Sequence, residues 1–152
     1  MNSSNISFLL LIFFYLLNIL GIKNLVIAPP MYGLEWWFGI ILLSLLVWSI
    51  LNNGLLVKIT IVITLLAWIT IQFWVHWRWI FVSVSKAESD WYNRVFGQTI
   101  RIFPVNKNHF VPDLYHLILH ILLLASVFIF CRDLLHAYKK SIKARKGYYN
   151  YL

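Results

Sequence analysis

The sequence predicts an all-α integral membrane protein: a four-transmembrane-helix bundle with a short amphipathic interfacial helix in its third loop. Three observations carry that expectation. Hydrophobic residues make up 61% of the 152 residues and charged residues 12%, against about 45–50% and ~25% in soluble domains. The apolar residues gather into four stretches, each near the roughly 20 residues that cross a hydrocarbon core. Six of the 13 Lys and Arg fall from Arg132 onward, the pattern of a cytoplasmic tail. A soluble monomer of this length could not cover so much apolar surface, which excludes a soluble enzyme, a secreted disulfide scaffold and a disordered chain. The length fits a single membrane domain over 1–152. Cys131, the lone cysteine, has no partner for an intramolecular disulfide.

The first helix is expected over about 6–27, with Asn18, Gly21 and Lys23 toward its far end. Met1 to Asn5 carry no basic residue and no small-x-small site follows, so this stretch reads as a retained helix rather than a cleaved signal. Ala28-Pro29-Pro30 breaks the chain. A second helix is expected over 36–52 and a third over 55–82, long enough to tilt. Asn52-Asn53-Gly54 makes the tight turn between them. The loop over 83–110 is too long for a mere connector. Its Ser85-Lys86-Ala87-Glu88 has capping-box spacing, which predicts a helix from Lys86 to Phe96 stopping at Gly97 and carrying Trp91, Tyr92, Val95 and Phe96 on the membrane surface. The fourth span is expected over 111–132, with Pro112 in its first turn and Asp113 at its positive end. A basic tail over 133–152 follows. An even number of spans puts both termini in the cytoplasm and loop 83–110 on the outer side, with Trp36, Trp37, Trp74, Trp77 and Trp79 at the outer interface.

Two polar stripes interrupt the apolar spans. At 100° per residue Asp113, His116 and His120 lie within about 60° of one another, and Gln72, His76 and Ser83 within about 40°. Antiparallel packing brings His76 level with His116 and His120. Facing lipid would cost each ionisable group a few kcal/mol, so the two stripes are expected to meet. Neutral imidazole binds iron and divalent metals. His76, His116 and His120 are therefore candidate haem ligands, and with Asp113 a candidate metal set, although the spacing is not His-Glu-x-x-His. The alternative use is interhelical hydrogen bonding, at ~0.6 kcal/mol per bond. The string Phe73-Trp-Val-His76-Trp-Arg-Trp-Ile80 resembles helix endings of small b-type cytochrome domains over eight residues; such domains carry several more histidines, and the match alone puts no iron in the bundle. Arg78 lies opposite His76 on the third helix and can snorkel to phosphate.

These features predict a non-catalytic accessory subunit that assembles with another membrane protein or with a second copy. Trp91, Tyr92, Phe96, Tyr148 and Tyr149 would supply the interface, and the tail would meet anionic headgroups rather than nucleic acid. An intramembrane haem or metal redox protein is the first alternative. A small lipid-modifying enzyme with Asp113 and His116 as acid–base pair is the second, and it lacks a nucleophile: Ser83 lies at a helix end and Tyr115 off the stripe.

Overall fold

A computed structural model describes residues 2–21, 34–52, 54–96, 99–101 and 113–149. These residues form five α-helices: α1 (Ser3–Leu20), α2 (Leu34–Leu51), α3 (Leu55–Gln72), α4 (Lys86–Phe96) and α5 (Leu114–Tyr149). Asn2 starts α1, its side chain accepting the Asn5 N–H at 2.9 Å. Gly21 ends it with φ 65°, a conformation that suits glycine, and donates its N–H to the Leu17 carbonyl at 3.0 Å. The first helix thus begins and ends earlier than the expected 6–27. The Pro29-Pro30 break lies outside the described residues.

The expected turn joins α2 to α3. Asn52 folds its side-chain oxygen back onto the Gly54 N–H at 2.9 Å. A Cβ at Gly54 would sit 2.8 Å from that oxygen, so a larger residue there would displace the Asn52 side chain from its bond. Within α3, Thr60, Thr64 and Thr70 each donate to the carbonyl four residues earlier at 2.9–3.0 Å. Ser44 of α2 does the same to Ile40 rather than contacting a neighbouring helix. Such bonds satisfy hydroxyls within apolar helices without a partner element.

The third stretch does not stay α-helical to 82. After Gln72 it widens into a π-turn over Phe73–Trp77 and tightens into a 3₁₀ turn over Arg78–Ile80. α5 departs from expectation in the other direction. It runs 36 residues without a break, about 54 Å at 1.5 Å per residue, so the basic residues continue the last apolar stretch as helix through Tyr149.

α5 packs along α1 and α3, and α2 packs on both α1 and α3. Phe8 meets Phe130 edge-on, ring centres 5.8 Å apart, and Phe14 stacks on Tyr115 at 5.0 Å, so α1 and α5 run antiparallel. The core follows helical spacing: Phe8, Leu11, Ile12 and Tyr15 on α1 face Leu119 and Leu123 on α5. Tyr15, Phe38 and Trp68 lock α1, α2 and α3 together edge-to-face, at 4.8–5.8 Å. Toward the α1 N-terminus the Ser49 hydroxyl donates to Asn5 Oδ1 at 2.6 Å, tying α2 to α1.

Outside this core the surface is apolar. Phe13, Leu51, Ile63 and Phe128 are all exposed, on four different helices. Among the described residues two helical segments are long and apolar enough to cross a membrane: Leu55–Ile80 and Leu114–Lys140, with mean hydropathies of 2.1 and 2.3. α1 and α2 are shorter apolar helices.

Candidate functional site

The two polar stripes meet where the π-turn of the third stretch abuts the start of α5. Asp113 stands immediately before α5, and its Oδ1 accepts twice: from the His116 backbone N–H at 2.9 Å, as a helix N-cap, and from His116 Nδ1 at 2.7 Å. With the carboxylate accepting, His116 Nδ1 carries the ring proton that it donates. His76 lies on the π-turn and stacks face to face on His116, ring centres 3.6 Å apart and planes 26° from parallel. Asp113, His116 and His76 are all buried.

A lid covers this cluster. α4 begins at the expected capping box. Ser85 donates both its backbone N–H (3.0 Å) and its hydroxyl (2.8 Å) to Glu88 Oε2, and its oxygen accepts the Glu88 N–H at 3.3 Å. These bonds hold the Glu88 carboxyl below its ordinary range. The contribution of the box is therefore present above the ordinary Glu range and lost as pH falls through the lowered value. In an NMR titration Glu88 should titrate below an ordinary glutamate and Ser85→Ala should move it back upward; an unmoved titration would contradict the box.

One turn on, Tyr92 turns into the cluster. It is 1% exposed, its ring centre 6.2 Å from that of His76, and burial pushes its phenol up. The Arg101 guanidinium lies 5.9 Å over the Tyr92 ring and donates to Asn93 Oδ1 at 2.9 Å. Residues 99–101 fasten the lid to α5. The Leu114 N–H donates to the Ile100 carbonyl at 2.8 Å, Arg101 and Asp113 form an isolated antiparallel bridge, and Thr99 is buried. In the sequence this strap is marked only by a weak polar–apolar alternation from Thr99 to Phe103.

The expected residues are distributed unevenly. His76, Asp113 and His116 come together. His120 stands aside against Trp77, ring centres 5.2 Å apart. Tyr92, expected on the partner-facing surface, faces inward, while Trp91 beside it is 51% exposed. The side chains of Phe96, Tyr148 and Tyr149 lie outside the described residues, as does His109.

The expected ligand set does not converge. A shared metal or haem iron needs in-plane nitrogen lone pairs aimed at one point. The nearly parallel imidazoles of His76 and His116 direct theirs side by side, and His120 sits on a different ring. Among the described residues no three His, Cys, Asp or Glu side chains are disposed to hold a metal ion. Trp77 packs on His120 and Trp79 on Arg78.

What the arrangement does chemically is hold: a carboxylate orients one imidazole, that imidazole carries a second, and the second seats the tyrosine of the lid helix. Compared with known proteins, the chain matches no family model, no curated protein and no solved structure.

Proposed function

We propose that this chain is a four-span membrane protein that acts without catalysis of its own, as an accessory subunit assembling with another membrane protein. α1, α2, Leu55–Ile80 and Leu114–Lys140 would be the spans, with both termini cytoplasmic and α4 on the outer side. Exposed apolar side chains on all four helices support the membrane part, because lipid or protein must cover them.

The assembly role is carried by one observation: α4 is pinned by buried Tyr92 while adjacent Trp91 stands 51% exposed. A short helix fixed through one aromatic and presenting the next is preorganised for docking, since little side-chain entropy remains to be lost on binding. Tryptophan is the residue most enriched at interface hot spots. Of the five residues expected at the partner surface, Trp91 is the one this observation supports.

A photocrosslinking amino acid placed at 91, and separately at 92, tests this in native membranes. Position 91 should give one adduct of discrete added mass that is protein, and position 92 only internal crosslinks. Adducts at 91 that are exclusively lipid would overturn the reading. An added mass equal to the chain itself would make the partner a second copy.

The 2.7 Å contact between Asp113 and His116 favours one second reading, an acid–base pair acting on a lipid headgroup. It requires the lid to open, because His116 is buried beneath it. Turnover of a labelled lipid by the purified protein, abolished by His116→Gln, would support that reading over the first.

A further inference from the structure

Arg78 lies at the start of the 3₁₀ turn, two residues before the end of the Leu55–Ile80 candidate span. Its guanidinium carbon sits 3.7 Å from the ring centre of Trp79 and 4.2 Å from that of Trp74. Two indoles therefore hold one cation by cation–π attraction, each such contact being worth about 0.5–2 kcal/mol. Trp79 is itself fixed, its Nε1 donating to the Val75 carbonyl at 3.0 Å. The clamp sits where the helix changes character, Trp74 on the π-turn and Arg78 and Trp79 on the 3₁₀ turn that follows it.

A guanidinium so placed has stacking partners on its faces but needs acceptors at its edge. Among the described residues Arg78 makes no ion pair, and its buried Nε has no hydrogen-bond partner. Glu88 is near enough to feel the charge, but it forms no ion pair with Arg78, and its Oε2 is taken by two bonds from Ser85. Around the clamp the exposed side chains are apolar: Trp74 at 62%, with Phe73, Ile80 and Phe81. A cation preorganised at the end of a span and ringed by apolar side chains matches one environment, the phosphate layer of a bilayer above its acyl chains.

We infer that Trp74, Arg78 and Trp79 form a binding site for the phosphodiester of a membrane phospholipid, with the guanidinium edge bonding the phosphate oxygens and the surrounding apolar side chains lying along the acyl chains. The positive charge of the guanidinium favours an anionic headgroup over a zwitterionic one. The inference rests on the membrane-spanning reading proposed above, since only an inserted chain places Arg78 at that depth.

The test uses the full chain in nanodiscs of mixed phosphatidylglycerol and phosphatidylcholine, released into detergent and weighed by native mass spectrometry. The wild type should retain phosphatidylglycerol. Arg78→Gln should retain it roughly tenfold less or worse, since a lost charge-assisted bond is worth about 1.5–3 kcal/mol. Arg78→Lys should fall between, keeping charge but not the planar fork. Helix content and carbonate-resistant insertion are measured in parallel. Failure to insert removes the membrane reading and this site together; insertion with equal lipid retention in Arg78→Gln overturns the site alone. If inorganic phosphate in detergent binds as tightly as the lipid does, the site is not a lipid site and the inference also falls.

Discussion

Replacing Asp113 with Ala is expected to destabilise the protein by about 2–4 kcal/mol, the sum of a lost N-cap, typically ~1 kcal/mol, and a buried imidazole donor left without its acceptor, about 1–3 kcal/mol. Both losses arise because a single oxygen, Oδ1, serves the His116 backbone and the His116 ring. The damage should spread along the chain of contacts. Without the carboxylate the His116 ring is free to turn, the His76 stack loosens, and Tyr92 loses its seat. Denaturant unfolding in mixed micelles measures the first effect; hydrogen exchange over α4 measures the spread. Asp113→Asn keeps a good N-cap and a carbonyl acceptor, and should cost less than half as much. A change below about 0.5 kcal/mol in Asp113→Ala, the range of an unengaged surface position, would show that the contact does not hold the lid.

Trp68→Ala should cost more, about 3–5 kcal/mol, the usual range for a buried large aromatic truncated to Ala. Its ring meets Tyr15 of α1 at 5.1 Å and Phe38 of α2 at 4.8 Å, both edge-on, so one truncation removes the aromatic contact joining three helices. Inside a bilayer lipid tails are as apolar as the core and helix association depends on close packing, which makes a void here more damaging than lost burial alone. Trp68→Phe should recover much of the loss by keeping one edge contact. The control is Phe128→Ala on α5, 72% exposed, which should stay within about 0.5 kcal/mol of wild type. Equal effects at 68 and 128 in the same unfolding assay would contradict the packing described.

What could be read from the sequence follows the range of the forces involved. The Ser85–Glu88 box and the Asn52–Gly54 turn are each complete within four residues, so their chemistry is legible locally. The meeting of the two histidine stripes is legible as well, because the cost of facing lipid leaves one direction for a buried imidazole. The π-turn is not, and it matters: one widened turn re-aims His76 onto His116 and leaves His120 to Trp77, where strict helical spacing had placed all three together. The inward turn of Tyr92 was hidden for another reason. Trp91 and Tyr92 are neighbours on one short helix, and nothing in eleven residues says which of two adjacent aromatics meets the bundle. The length of α5 was masked by composition, since a change from apolar to basic residues marks the edge of a membrane without ending a helix.

The account stands on the stacking of His76 on His116, which joins the two long helical segments and seats the lid. Through-space NMR contacts between the two imidazole rings, recorded on histidine-labelled protein in nanodiscs, measure it directly. Rings 3.6 Å apart should give strong ring-to-ring cross-peaks, together with contacts from His76 to the Tyr92 ring, and Asp113→Ala should weaken both. Folded protein with no contact between the rings of His76 and His116 would contradict it.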